Sequence, residues 1–214
     1  MHNLIRNSNI IEVFRMQFSV HPCEALFSVD LHSFLQVCTA ECLRLHLLDD
    51  TIEIDHVCYR VDSIKEYLRI VSALSPYGVA IAESMINGRP ITTYLLSEPI
   101  LFKAWRINCI EIPCPKPGRD YMTGWEHIEI VIGEQSMGCM NNKSFLESFV
   151  NKHDDIRFDL KAIDKVINAD VSIEIENGKY SCKFHCRPLY EVCEYEKNRE
   201  LVEPVPSDYF IGIN

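Results

Sequence analysis

The stretch GWEHIEIVI, Gly124 to Ile132, sets a histidine inside an alternating apolar run. Successive side chains of a strand point to opposite faces, so Ile128, Ile130 and Ile132 share one side with Glu126. His127, Glu129 and Val131 fall on the other. An earlier run, IEIDHVCYRV, reads the same way, with Val57, Tyr59 and Val61 on one face and Ile54, His56, Cys58 and Arg60 on its reverse. DHVCYRV and EHIEIVI match in position and pattern, which sets His56 against His127. A second correspondence joins CIEIPCP (109–115) to CKFHCRP (182–188) and brings Glu111 near His185. Two internal repeats are therefore expected, with ligand-type side chains on equivalent strands.

The intervening sequence supplies the rest of each repeat. Before the first, Phe34, Leu35, Cys38, Cys42 and Leu45 recur at helical spacing behind Asp30, a suitable N-cap. A shorter helix could precede this one. Ser63 and Glu66 form a capping box opening a helix with the stripe Ile64, Tyr67, Leu68, Val71 and Leu74. Then come VAIAESMI, a turn at NGRP, ITTYLLSE, a break at Pro99, WRINCIEI and the proline-rich PCPKPG. After GWEHIEIVI a helix is expected with Phe145, Leu146, Phe149 and Val150 on its apolar side, then two strands around Asn177-Gly178 in VSIEIENGKYSCKFH. Residues 154–169 show no clear period. The expected fold is α+β: two βαβββ repeats, about 51–115 and 123–190, forming one cupped mixed sheet within a domain spanning 51–195. An N-terminal helical segment (1–50) precedes it and a tail (196–214) follows.

Composition narrows the class of partner. The 214 residues are 47% apolar and 24% charged, an ordinary globular balance, with a formal net charge of -10. That charge argues against broad binding to nucleic acid or anionic membrane, and leaves a small molecule or another protein. No apolar run is long enough to span a bilayer, and MHNLIRNSNIIEVF lacks the apolar core and cleavage site of a secretory leader. Ten cysteines form no CxxC pair. They read as reduced, mostly structural thiols in a cytoplasmic protein. One complete cup per chain is expected, as a monomer or homodimer.

If the apolar faces pack under helices, the opposite faces line the cup, and His56, Glu111, His127 and His185 converge. Imidazole and carboxylate suit a divalent zinc, iron, nickel, cobalt or manganese ion, and two histidines with one carboxylate leave positions open for water or substrate. Any one of these histidines alone reads more simply as an ordinary hydrogen-bonded residue; it is their equivalence in the repeat that favours a metal. Glu191 is a rival fourth ligand, although PLYEVCEYEKN reads as a helix beyond the strand. Arg60, four residues after His56 on the same face, is a candidate for binding an anionic substrate, or else pairs with an acidic neighbour such as Glu129. Glu129 itself is a candidate general base or an acceptor behind the ligands. Arg89, Tyr121, Trp105 and Trp125 are candidates for the rim, the tryptophans reading equally well as core. Cys58 and Cys109 are candidate fillers.

IDHVCYRV, ESMINGRPITTYLL, IEIPCPKPGRDYMTGWEHIEIVI and NGKYSCKFH together resemble the YecM family, over roughly Asp55 to His185. The resemblance implies the paired βαβββ fold of the vicinal oxygen chelate superfamily and a metal site at His56, Glu111 and His127. Glyoxalases, isomerases and ring-cleaving dioxygenases share that superfamily, so it implies no single reaction. Residues 154–169 and the tail after Tyr195 depart from the family pattern. The leading expectation is a metal-dependent enzyme, or a metal-dependent binder, for a small anionic metabolite that chelates the ion through adjacent oxygens. A non-catalytic cup and a purely structural module are the alternatives.

Overall fold

A computed structural model describes residues 20–49, 52–132 and 142–211. A short 3-10 helix, Pro22–Leu26, leads into α1 (Leu31–Arg44), which Asp30 caps by accepting from the Ser33 amide at 2.8 Å. The first repeat follows as β1 (Glu53–Arg60), α2 (Ile64–Leu74), β2 (Gly78–Ile86), β3 (Arg89–Phe102) and β4 (Trp105–Pro113). Ser63 caps α2 through the Glu66 amide. Asn87 and Gly88 both have positive φ, 52° and 79°, as a two-residue hairpin turn matched to strand twist requires. The second repeat comprises β5 (Gly124–Val131), α3 (Lys143–Lys152), β6 (Val171–Ile175) and β7 (Tyr180–His185). α4 (Leu189–Asn198) closes the order.

The seven strands form one mixed sheet in the order β2-β3-β4-β1-β5-β7-β6. Within each repeat the first and last strands pair in parallel, β1 with β4 and β5 with β7. The repeats join where β1 meets β5 antiparallel, with His56 opposite Glu129 and Cys58 opposite His127. Equating His56 with His127 and Cys58 with Glu129 interchanges these two pairs. The junction therefore carries an approximate two-fold axis, and the repeat correspondence read in the first strands holds at the level of register.

The second repeat differs from the expected βαβββ pattern. Where β2 runs beside β3 in the first, the other edge of β6 carries, among the described residues, only an isolated bridge from Asp159 to Ser172. Its backbone bonds are 2.7 and 3.1 Å. The Asp159 carboxylate accepts from the Lys161 amide at 2.9 Å, folding the chain into a turn instead of prolonging a strand. The expected break at Pro99 is a slip in register instead. β3 continues to Phe102, and its pairing with β4 shifts between Leu95 and Ile100.

Two further shifts shape the cup. In β1 the extra residue is Asp55, since Ile54 pairs with Ile130 but His56 with Glu129; in β5 it is Glu126, since Cys58 pairs with His127 but Tyr59 with Trp125. These β-bulges are equivalent under the two-fold axis. Each lets an acidic residue and the following histidine both leave the helix-covered face, which strict alternation forbids. Two face assignments from simple alternation change accordingly. Ile54 joins the core beside Val57 instead of sharing a face with His56, and Glu126 turns away from Ile128 to line the cavity.

Under the other face, α1, α2 and α3 pack on Val57, Tyr59, Ile110, Ile112, Ile128, Ile130 and Phe184 in one apolar core. Trp125 is central to it, with its ring centroid 4.7 Å from Phe27 and 4.9 Å from Tyr59, and its indole N–H donates to the Val29 carbonyl at 2.9 Å. Phe34 of α1 touches both Trp125 and Tyr180, so the leading helix belongs to this core. Beyond α4, the Met85 amide donates to the Glu203 carbonyl at 2.8 Å, which covers part of the β2 edge. No helix among the described residues is long and apolar enough to cross a membrane.

Candidate metal centre in the cup

The face turned away from α1–α3 encloses a cavity of about 470 Å³, roofed by Leu189, Val192, Cys193 and Glu196 of α4. Its floor brings together side chains from both repeats. His56 and His127 face each other across the β1–β5 junction with ring centroids 6.2 Å apart, and the ligand atoms of His56, Glu111 and His127 all lie within 4.8 Å of one another. His185, wholly buried on the same face of β7, is 6.1 Å from His56 by ring centroids.

The Asp55 bulge explains how His56 is aimed. Asp55 Oδ2 lies 2.7 Å from His56 Nδ1 and also accepts from the Leu189 amide at 2.9 Å. One carboxylate oxygen thus holds the imidazole and the start of the roof helix. With Nδ1 engaged, His56 Nε2 is left buried with no hydrogen-bond partner. This is the arrangement a metal-binding histidine takes, its far nitrogen held by a carboxylate and its near nitrogen free. Burial opposes charging His56, but the Glu129 and Asp55 carboxylates outweigh it and push the imidazole up to about 10.

At the centre stands Glu129. Its Oε1 is 2.6 Å from Lys183 Nζ, 3.2 Å from His127 Nε2 and 3.5 Å from His56 Nε2, while Oε2 is 3.8 Å from His185 Nε2. Burial would raise its pKa, yet the charges of Lys183 and His56, with His127 close by, hold it well below the ordinary carboxylate range. A carboxylate so reluctant to take a proton serves as a fixed counter-charge better than as a general base, which works best near neutral pH.

Lys183 is the residue that sequence reasoning passed over. It shares the inward face of β7 with His185, a placement the alternation gave, but only the register shows its equivalence. Cys58 pairs with Glu111 in the first repeat, and its counterpart Glu129 pairs with Lys183 in the second. Lys183, not His185, therefore occupies the place that Glu111 has. His185 stands two residues further along, with Nδ1 3.1 Å from Asn168 Oδ1 and Nε2 unpartnered, in a second group with Asp55 and His56. Burial holds its pKa below the ordinary histidine value, keeping the imidazole neutral.

The remaining candidates sort by contact. Arg60 pairs with Glu126, the residue the second bulge delivers, and not with Glu129. Its guanidinium also lies 4.8 Å from the Tyr121 ring centroid. Arg89 stands 5.9 Å from the same ring, donates to the Cys114 carbonyl at 3.4 Å, and has no carboxylate partner among the described residues. Tyr121 is thus at the rim beside both arginines, while Trp105 and Trp125 are core residues. Glu191 is engaged by Arg187 at 3.1 Å. Cys58, Glu126 and His127 form a third close group, but burial first, then Glu111 and Glu126, push the Cys58 thiol far up, which disfavours the thiolate that would bind a metal. The nine described cysteines are all free and buried.

Residues 24–196 match a protein family described as YecM protein. Protein YecM of Escherichia coli (strain K12) is 34% identical over 103 residues, 48% of this chain and 55% of that protein. An uncharacterized protein of Haemophilus influenzae is 36% identical over 80 residues, 37% and 42% of the two chains. The aligned stretch thus spans about half the length of these curated relatives. A solved structure titled Structural Genomics, Protein EC4020 superimposes with a TM-score of 0.56 at 26% identity, covering 74% of this chain and 85% of that one.

Proposed function

The chain belongs to the YecM family, and on that premise we propose that it is a divalent-metal protein that binds a small anionic metabolite in the cup, acting as a lyase, isomerase or dioxygenase of the vicinal oxygen chelate type. The observation that carries this reading is the convergence of His56, Glu111 and His127 within 4.8 Å, together with the unpartnered, buried Nε2 of a histidine already oriented by Asp55. Nitrogen and carboxylate donors in that number suit zinc, iron, nickel, cobalt or manganese.

When bound, the ion supplies Lewis-acid polarisation of oxygens that a substrate presents to it. The chain's own residues do the remainder. Asp55 fixes the His56 ring, Glu129 supplies fixed negative charge among the three histidines, and α4 limits water over the floor. Arg89, beside Tyr121 and with no carboxylate partner among the described residues, is the group available to an anionic substrate at the rim; Arg60 could join it only by leaving Glu126. A cytoplasmic location accords with the free thiols of the described cysteines, and a partner that is neither nucleic acid nor membrane accords with the net charge of -10. A non-catalytic binder with the same cup is the second reading, favoured by the commitment of Glu129 to Lys183 instead of to a proton.

Elemental analysis of protein reloaded with each metal and dialysed tests the centre. Retained metal that falls by on the order of 10- to 100-fold in affinity with His56→Ala and with His127→Ala is the expected result. Negligible retention of every ion would remove the proposal. Turnover of hemithioacetals, catechols or methylmalonyl-type thioesters would then separate an enzyme from a binder.

A further inference from the structure

The place equivalent to Glu111 in the second repeat is filled by a cation. Lys183 Nζ lies 2.6 Å from Glu129 Oε1 and 3.0 Å from His127 Nε2, and His127 Nε2 is itself 3.7 Å from Glu111 Oε2. The ammonium therefore sits among the same carboxylates and imidazole that a metal at His56, Glu111 and His127 would draw on. Resting on the metal-centre reading above, we propose that Lys183 is a tethered cation that competes with a divalent ion for Glu129, His127 and Glu111, so that metal loading requires its ammonium to be displaced.

Two features support this. First, the cup holds four carboxylates near its floor, Asp55, Glu111, Glu126 and Glu129, but Arg60 neutralises Glu126 and Asp55 is spent on His56 and Leu189. Of these four, Glu111 and Glu129 remain for a cation, and Lys183 Nζ is 2.6 Å from Glu129 Oε1 and 3.0 Å from the His127 Nε2 that meets Glu111. Second, a lysine cannot act as a ligand while protonated, since its nitrogen offers three donors and no acceptor. In the substituted position it is a rival to the ion and not a fourth ligand.

The test uses Co²⁺ alone, titrated by calorimetry and by its visible absorption into the full chain and into Lys183→Met, Lys183→Gln and each of these combined with His127→Ala. The glutamine retains a donor toward Glu129, so the test survives if the methionine variant fails to fold. Removing a like charge a few Å from the ion in a partly buried site should tighten Co²⁺ binding by about 10-fold or more. His127→Ala should abolish that gain. Equal Co²⁺ affinity in the unaltered chain and in both Lys183 variants would overturn the competition while leaving the metal centre standing. Tightening that survives His127→Ala would overturn it by placing the ion elsewhere. Failure of every form to bind Co²⁺ would remove the centre itself, and the competition with it.

Discussion

Replacing Glu129 with Gln changes one oxygen for an amide and removes the negative charge on which the floor of the cup is organised. In the native protein that carboxylate is 5% exposed and meets Lys183, His127, His56 and His185 within 2.6 to 3.8 Å. Taking away one member of a buried ion pair leaves the other uncompensated and costs about 3–5 kcal/mol. Glu111 retains part of the compensation for Lys183, which favours the lower end of that range. For a domain of this length, 1 kcal/mol corresponds to roughly 2–4 °C in midpoint, so a fall of about 10 °C is expected. Urea unfolding of the metal-free protein, followed by circular dichroism, measures the free energy. The double variant Glu129→Gln/Lys183→Met removes both charges, and it should be more stable than the sum of the single losses predicts, by at least about 1 kcal/mol. A loss below about 1 kcal/mol in Glu129→Gln, or strict additivity in the double variant, would refute the view that this pair organises the cup.

Two further outcomes follow from the core and from proton linkage. Trp125→Ala removes the ring that packs on Phe27, Phe34 and Tyr59 and the donor to Val29; a loss of about 3–5 kcal/mol in urea unfolding is expected, and a loss under about 1 kcal/mol would contradict its place in the core. The pH dependence has two sides. His56 is raised to about 10, so its contribution is complete below the unfolded value near 6.5 and is lost as pH climbs through about 10. His185 is lowered, so its contribution is lost as pH falls below about 6.5, and that of Glu129 is lost below about 4.5. Stability of the metal-free protein should therefore peak near pH 6.5, and His56→Gln should flatten the alkaline side of the urea-midpoint profile; an unchanged alkaline slope would show that His56 does not carry it.

The sheet, the paired first strands and the inward placement of His56, Glu111, His127 and His185 were legible because they depend on period-two alternation, which the residues carry openly. What alternation could not show is where the count slips. Nothing in IEIDHVCYRV marks Asp55 as an extra residue, because a bulge is specified by the partner strand as much as by its own sequence, and the partner residues here are the distant Glu129 and Ile130. The same blindness assigned Glu126 to the core side. Lys183 was hidden for a related reason. CKFHCRP aligned with CIEIPCP on its cysteine and proline put Lys183 one place away from Glu111, and only the pairing of β5 with β7 fixed the true equivalence. The missing strand near Asp159 had a local signal, the absence of any period between 154 and 169, which was visible as a gap in the reading.

The two bulges also bear on which changes of chain length this protein can tolerate. Deleting Asp55 would straighten β1 and set Ile54 directly before His56, so that plain alternation keeps Ile54 beneath the helices opposite Ile130, while the anchor of both His56 and α4 is cut. Deleting Glu126 would likewise leave Trp125 in the core and would release Arg60. The halves of the sheet are thus free to diverge by exchange of side chains, as Glu111 and Lys183 illustrate, and loss of a bulge residue keeps inside and outside as they are, whereas loss of one residue from the regular part of β1 or β5 inverts them on one side of the cut. A scan of single-residue deletions should find Val57 and Ile128, in the regular part of the β1–β5 ladder, less forgiving in fold stability than Asp55, Glu126 or the turn at Asn177-Gly178, where an alteration in length disturbs only a hairpin tip.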